Sequence, residues 1–235
     1  TSCTIEEAYE VADAIEKEDF VELEKELGDL LFQVIFYSQL GQEEKRFDFD
    51  SVVGAICEKL IRRHPHVFGH STLKTDAEIK ANWENEKAKE RQQKSGEGEV
   101  ISVLTDIPNN LPALTQAAKI QKRCSHVGFD WHHIDDVFDK VKEEVDEVAE
   151  ELTHFTQGRE HALNEELGDL MFAIVNLCRH AKQDPETLLR QANNKFTRRF
   201  NGVEQQVNEA KKDFAQHSLE ELEEYWQQVK AKEVK

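Results

Sequence analysis

Two pairs of acidic residues in the second half of the chain have the chemical type and the spacing needed to hold a metal ion. Glu144 and Glu147 lie in the segment Glu-Glu-Val-Asp-Glu, and Glu166 and Asp169 lie in the segment Glu-Leu-Gly-Asp. Residues three apart share a helix face, so each pair lies along one flank of an amphipathic helix, and a helical hairpin can bring the pairs together. Four carboxylates in one place raise each other's pKa and repel one another unless a cation lies among them. Because they are hard oxygen ligands, the pattern predicts Mg²⁺ or Mn²⁺.

The same acidic pattern occurs once more near the start of the chain. Glu-Leu-Gly-Asp-Leu-(Leu/Met)-Phe is present in both halves, each time after an earlier Glu-Glu-x-x-Glu segment. A single Glu-x-x-Glu is most often a solvated helix face in so highly charged a chain, but solvated faces do not repeat in this way. The repeat therefore predicts a second metal-binding set in the first half. Its members are Glu7, Glu10, Glu26 and Asp29.

Each copy of the repeat also places a glycine inside a predicted helix. Gly28 and Gly168 each destabilise a helix by about 1 kcal/mol relative to alanine. Their repetition predicts a close backbone approach at each site. In the first copy, Thr4-x-x-Glu7 also fits a capping box at a helix start. A ligand role and a capping role therefore both stay open for Glu7.

The hydrophobic periodicity of the chain predicts an all-α protein with two domains. Apolar residues recur with helical period, only four prolines interrupt the 235 residues, and strand-type alternation is nearly absent. A polar, glycine-bearing stretch predicts a linker at 96–105, between a first domain at 1–95 and a second domain at 106–235. Helices are predicted at about 4–17, 19–45, 51–63, from 75 onward, 111–125, 134–155, 159–182, 185–214 and from 219 onward.

The composition of the chain limits the kinds of molecule that it can bind. The chain carries 48 acidic and 30 basic residues and a net charge of −18, which argues against nucleic acid because binding a phosphate backbone requires a basic surface. A small nucleotide stays compatible when a metal covers part of its charge. The four cysteines are far apart and predict reduced thiols in a cytoplasmic protein. We expect no membrane association, since no apolar run approaches the ~20 residues of a membrane span and no signal peptide is visible.

Basic and aromatic residues downstream of the carboxylates could bind a nucleotide. Lys195 and Arg199 are one helical turn apart and can meet phosphate oxygens. Trp226 offers a flat surface for a base, and Lys230 adds a charge one turn later. The basic helix ahead of the second carboxylate set adds Lys119 and Lys122 as further substrate-binding candidates. Together these residues predict a nucleotide polyphosphate site.

Each of these residues also has a plainer interpretation. Trp226 is the kind of residue that packs in a core or a dimer interface, and Lys195 and Arg199 can pair with the acidic surface. Against this, the pattern is repeated: Lys-x-x-Arg-Arg occurs at 59–63 and 195–199, and Trp-x-x-x-Lys at 83–87 and 226–230. Only the second half has the basic helix and the Gly-Phe-Asp-Trp turn at 128–131 before its carboxylates.

These motifs resemble the MazG family of nucleoside triphosphate pyrophosphohydrolases. The resemblance covers essentially the whole chain and is especially close to the bacterial two-domain members at 119–131 and 192–200. It implies tandem all-α domains of four-helix-bundle type, a homodimer, and Mg²⁺-dependent cleavage of NTPs and dNTPs to the monophosphate and pyrophosphate. It also implies that the second domain is the hydrolytic one, and that the first copy lacks the segment corresponding to 119–131.

The resemblance further implies a role for each matching residue. The metal would be held by the second carboxylate set, phosphates would be bound by the Lys/Arg pair, and the nucleotide would be bordered by the Trp/Lys pair. These residues are Glu144, Glu147, Glu166 and Asp169, then Lys195 and Arg199, then Trp226 and Lys230. The two acidic residues beside the set, Glu143 and Glu165, are candidates for taking a proton from the attacking water.

Two other functions remain open on the residues alone. A ferritin-like oxidase requires two Glu-x-x-His motifs on facing helices, and the chain has one, Glu151-Leu-Thr-His154, with no second on the following helix. A non-catalytic nucleotide sensor or helical interaction module needs the binding residues without turnover. Turnover of NTP with Mg²⁺ separates the enzyme from the sensor.

Overall fold

The computed structural model of the chain describes residues 2–69, 102–155 and 160–233, together with isolated residues between 75 and 89. It divides into two compact units, residues 1–99 and residues 100–235. We refer to them as unit 1 and unit 2 and describe each by itself.

Helices dominate the described residues, and none of these residues is in a strand, which confirms the all-α prediction. In unit 1 the helices are α1 (Ser2–Glu16), α2 (Phe20–Glu43), α3 (Phe49–Arg63) and the short α4 (Pro65–Phe68). In unit 2 they are α5 (Ala113–Ser125), α6 (Ile134–His154), α7 (Glu160–His180), α8 (Pro185–Glu209) and α9 (Leu219–Glu233). None of the described helices is long and apolar enough to cross a membrane.

Unit 1 is built on a hairpin of α1 and α2. Asp19 ends the connection between them and caps α2, because its side chain accepts hydrogen bonds from the backbone of Val21 and Glu22. Helix α1 already begins at Ser2, so Thr4 lies inside it, and the predicted capping box with Glu7 is wrong. This leaves Glu7 on the face of α1 that packs against α2.

Unit 2 is built on a hairpin of α6 and α7. Helix α5 packs on α7 and α8, and α9 packs against α8. Val137 on α6 and Val175 on α7 are almost fully buried. Some apolar residues of α7 are only partly buried, since Met171 is 56% exposed and Ile174 44% exposed. The polar Asn176 of the same helix is buried and lines a cavity beside α5.

Two predictions fall largely outside the described residues. The predicted linker at 96–105 is described only from Ser102 onward, and Lys87 of the first Trp-x-x-x-Lys pair is not described. The side chain of His154, from the single Glu-x-x-His motif, is also outside them.

The space beside Gly28 and Gly168 is open. Apart from the adjoining backbone of its own helix, no atom of the described chain lies within 4 Å of the position that a Cβ would occupy at either glycine. The close approach predicted there is therefore not made within these residues.

Candidate functional site

The hairpin of α6 and α7 brings three of the four predicted carboxylates of unit 2 into one cluster. Ligand oxygens of Glu144, Glu147 and Glu166 all lie within 4.8 Å of one another. Asp169 is not in this closest group, but it is near enough to act on Glu166. Loss of hydration and then the charges of Asp169 and Glu144 raise the pKa of Glu166. Loss of hydration and the charge of Glu144 likewise raise the pKa of Glu147.

Glu144 is the buried member of the cluster, with 5% of the residue exposed. Its Oε1 lies 2.8 Å from Lys140 Nζ, and the same ammonium lies 2.8 Å from Glu143 Oε1. Hydrogen bonds to Glu143 and Glu144 raise the pKa of Lys140. The other oxygen of Glu144, Oε2, is buried and has no hydrogen-bond partner. A buried anionic oxygen without a partner is costly unless a cation or a donor meets it.

These observations fit a hard divalent cation. The donors are all carboxylates, the ligand type that Mg²⁺ and Mn²⁺ prefer. Two of the carboxyls have raised pKa values caused in part by like charge, and one buried oxygen lacks a partner. Lys140 neutralises only one side of the cluster. The residues present therefore suit a metal ion at Glu144, Glu147 and Glu166, with Asp169 beside them.

Unit 1 contains a similar but more open cluster. Ligand oxygens of Glu7, Glu26 and Asp29 lie within 4.8 Å of one another, and none of these residues is buried. Glu10 is outside this closest group; after loss of hydration, its charge is the largest cause of the raised pKa of both Glu7 and Glu26. The position four residues before Glu7 is Cys3, whereas the position four residues before Glu144 is Lys140. The position of unit 1 that corresponds to Lys140 therefore does not supply a cation to the first cluster.

A cavity of about 240 Å³ adjoins the carboxylates of unit 2. Its wall is formed by α5, the turn at 128–131, α6 and α7, and it includes both Glu144 and Asp169. Aromatic side chains make much of the wall, namely Phe129, Trp131 and Phe172. A largely apolar space beside an acidic cluster can hold a flat, weakly polar group.

The turn at 128–131 is held in place by a charged network at the end of α7. Gly128 has a φ of +85°, a conformation that glycine adopts without strain. Arg179 donates two hydrogen bonds to the carboxylate of Asp130, and Asp130 Oδ1 lies 3.0 Å from His180 Nε2. Burial opposes ionisation of Asp130, but these hydrogen bonds outweigh it and lower its pKa to about 2. The ionised Asp130 therefore fixes the aromatic turn that closes the cavity.

The predicted phosphate and base contacts lie on α8 and α9, and none of them lines this cavity. Arg199 Nε is 2.8 Å from Glu233 Oε2, and Lys195 is exposed. Trp226 packs on Phe196, with ring centroids 5.1 Å apart, and the Arg199 guanidinium lies 5.9 Å from its centroid. Lys230 is half-buried on the same helix.

The matching pair in unit 1 has the same arrangement, since the Arg63 guanidinium lies 5.7 Å from the centroid of Trp83. The contacts of Trp226 with Phe196 and Arg199 therefore support the packing role that stayed open for it in the sequence.

The two lysines of α5 that the sequence singles out lie away from the cavity, and their substrate-binding role stays a prediction. Lys119 and Lys122 are exposed and do not line the cavity, whereas Gln121 is buried in its wall. Sequence reasoning missed Lys140, although a lysine one turn before Glu144 is visible in the sequence as an i,i+4 pair. Gln121 carries no such signal, because its position depends on how α5 packs against α7.

Comparison with known proteins agrees with these observations. The MazG nucleotide pyrophosphohydrolase domain matches residues 1–68 and 134–206. The nucleoside triphosphate pyrophosphohydrolase of Escherichia coli K12 is 52% identical over 98% of this chain and 86% of its own length. The chain belongs to the MazG family. The MazG nucleoside triphosphate pyrophosphohydrolase/pyrophosphatase of Thermotoga maritima is 39% identical over 96% of this chain and 83% of its own length.

The two MazG segments contain both carboxylate clusters and the Lys/Arg pair of α8. Helix α5, the turn at 128–131 and Trp226 lie outside them. The part of the site that is shared with the MazG domain is therefore the carboxylate-bearing hairpin of α6 and α7 with the Lys/Arg pair of α8. One wall of the cavity is built from residues that the MazG segments do not include.

Proposed function

We propose that this MazG protein is an Mg²⁺-dependent nucleoside triphosphate pyrophosphohydrolase that converts NTPs and dNTPs to the monophosphate and pyrophosphate. The observation that carries the proposal is the Glu144, Glu147 and Glu166 cluster with its unpartnered buried oxygen. It occurs in a chain whose relatives in E. coli and T. maritima bear the name of this activity. We place turnover in the second domain, residues 106–235, and treat residues 1–95 as a second MazG domain.

Some of the chain's residues would bind the metal, and others would bind the substrate. Glu144, Glu147, Glu166 and Asp169 would hold Mg²⁺, and the 2.8 Å ion pair with Lys140 holds the side chain of Glu144 in its orientation. When bound, Mg²⁺ supplies positive charge against the triphosphate oxygens and lowers the pKa of water. Glu143 already shares Lys140 with Glu144, and Glu165 contacts His161. Both stay candidates for taking the proton of the attacking water.

The basic side chains of α8 would bind the phosphates. Lys195 is exposed and can reach a phosphate directly. Arg199 pairs with Glu233 in the structure, and a triphosphate, with more charge than one carboxylate, can compete for it. Trp226 and Lys230 would border the nucleotide from α9. The exposed Lys119 and Lys122 would raise the local concentration of an anionic substrate.

Product identification tests the proposal. Incubation of the protein with each common NTP and Mg²⁺ should yield monophosphate and pyrophosphate in equal amounts, detected by ion chromatography or ³¹P NMR. Hydrolysis in ¹⁸O-water then locates the attacked phosphorus, since the label enters the fragment that was attacked. Release of diphosphate and orthophosphate would instead identify an ordinary phosphatase, and binding without turnover would identify a nucleotide sensor.

We also propose that the protein is a homodimer whose interface includes the outer face of α7. Leu167, Met171 and Ile174 are exposed on that face. Beside them, the space around Gly168 is open, so another helix could approach closely there. Sedimentation equilibrium should give twice the chain mass of 27.2 kDa, and Met171→Glu should shift the mass towards the monomer. A wild-type protein that stays monomeric at micromolar concentration would contradict this.

A further inference from the structure

The cavity beside the carboxylates of unit 2 is sized and lined for one part of a nucleotide. Its volume of about 240 Å³ is below the ~300–1,000 Å³ of pockets that enclose a whole drug-sized ligand. Its wall includes Glu144 and Asp169, two of the carboxylates of the proposed metal site. The rest of the wall includes Phe129, Trp131 and Phe172, which suit an aromatic ring. The nucleobase is the part of the substrate that fits this description.

Gln121 places one polar group in this wall with a fixed orientation. The residue is 6% exposed, and its Nε2 donates a hydrogen bond of 2.8 Å to the backbone carbonyl oxygen of Phe172. That bond defines which end of the amide is nitrogen, because a carbonyl can only accept. The Oε1 atom is therefore an acceptor, and it is buried without a hydrogen-bond partner. An unsatisfied buried acceptor destabilises the protein, so its presence points to a donor from a ligand.

Charged groups in the cavity wall are already engaged. Lys140 pairs with Glu143 and Glu144, and Arg179 pairs with Asp130. The unpartnered Oε2 of Glu144 belongs to the proposed metal cluster. Among the described residues of this wall, Gln121 Oε1 is thus a buried acceptor that has no protein partner and is not assigned to the proposed metal.

We propose that the cavity receives the nucleobase and that Gln121 Oε1 accepts a hydrogen bond from an N–H group of the base. The inference rests on the proposed function. Every common nucleobase presents at least one N–H on its base-pairing edge, so the contact admits all of them and rejects a ring that has none. Stacking on Trp226 makes no such distinction, because every base has a π-face. Gln121 would therefore discriminate rings that carry an N–H group from rings that carry none, and not one common base from another.

The test compares substrates that differ only in base N–H groups. The first pair is ATP and purine riboside 5′-triphosphate, which lacks the amino group. The second pair is CTP and 2-pyrimidinone riboside 5′-triphosphate, which lacks it likewise. Neither analogue adds bulk. The measurement uses the wild-type protein and Mg²⁺. In at least one of the two pairs, we expect kcat/KM for the natural triphosphate to exceed kcat/KM for its analogue by about 10- to 100-fold. Equal values for both pairs would overturn the inference without affecting the proposed function.

Gln121→Met keeps the length of the side chain and removes the acceptor. We expect its kcat/KM for the natural substrate to fall towards that for the analogue, so that the ratio approaches one. The matched control is Gln206→Met, which removes an amide of α8 that donates a 3.1 Å hydrogen bond to the backbone carbonyl oxygen of Tyr225 on α9 and does not line the cavity. The control should keep the wild-type ratio.

A loss in Gln121→Met that is equal for the natural substrate and its analogue would make the amide purely structural and overturn the inference. If Gln121→Met does not fold, the wild-type ratios decide alone. A wild-type protein that turns over no triphosphate would overturn the proposed function and this inference together.

Discussion

Glu166→Ala and Asp169→Ala should each lower kcat/KM for NTP hydrolysis by about 100- to 1,000-fold or more, whereas Glu26→Ala and Asp29→Ala should leave most of the activity. Removing one hard ligand from a small metal site leaves the remaining carboxylates unable to position the ion and its water. The two pairs are matched controls for each other, because each comes from the same Glu-Leu-Gly-Asp segment. Initial rates at saturating Mg²⁺ measure the effect.

The difference between the two clusters explains why we assign turnover to unit 2. Glu144 is buried and paired with Lys140, while its counterpart Glu7 is only half-buried and has Cys3 one turn earlier. The second cluster also opens into the cavity with aromatic walls. A carboxylate set that is oriented by a lysine and joined to a base-sized space is better organised for catalysis than one without the lysine.

Folding must be verified before the rates are compared. Relief of carboxylate repulsion can raise stability, so circular dichroism and thermal unfolding of all four variants are needed alongside the assay. Loss of activity in the unit 1 variants alone, or an equal loss in all four, would contradict our assignment of the working site.

The sequence was sufficient to predict the fold class and the clustering of the carboxylates, for a physical reason. Carboxylates three residues apart on consecutive helices depend only on helical period and on a hairpin, which are local properties. The cluster of Glu144, Glu147 and Glu166 therefore agrees with the pattern. The bounds of the predicted helices that lie in the described residues also agree to within a few residues, except that α8 ends at Glu209 and not near 214; the helix predicted from 75 onward lies largely outside them.

The sequence was insufficient where tertiary packing selects the residue. The exposed lysines of α5 are conspicuous, but the cavity is reached by Gln121, whose role depends on the rotation of α5 against α7. Trp226 fits a stacking platform in sequence, yet its ring is packed by Phe196 and approached by Arg199. The exposure of Met171 and Ile174 likewise has no local signal, because helical periodicity shows that a face is apolar and not what packs against it.

Removal of Mg²⁺ should abolish turnover, and addition of Mg²⁺ should stabilise the fold in a pH-dependent way. Metal that binds only the folded protein raises the free energy of unfolding by about 3 kcal/mol at 100 times its Kd. Carboxylates must be deprotonated to bind it. We therefore expect no hydrolysis in excess EDTA, a large Mg²⁺-induced rise in Tm at pH 7.5, and a much smaller rise near pH 4.5.

Without metal, the contribution of this site to the stability of the fold should depend on pH in the opposite direction. The pKa values of Glu147 and Glu166 are raised in the folded state, so the folded protein holds these protons more tightly than the unfolded chain does. Their contribution to stability is therefore present below the ordinary carboxyl pKa and is lost as pH rises through the raised values. At neutral pH the empty cluster works against folding, and the metal reverses this.

Glu166→Gln separates these two effects because it removes one negative charge and one metal ligand. At pH 7.5 the metal-free variant should unfold at a Tm equal to or above that of the wild type, yet its Mg²⁺-induced rise in Tm should be largely lost. Asp139→Asn is the control, since it removes a charge that pairs with Lys142 on the exposed side of the same helix α6, and it should keep the full rise. If the rise survives in Glu166→Gln and is lost instead in Glu26→Gln, the stabilising metal binds in unit 1, and the proposed metal site in unit 2 is wrong.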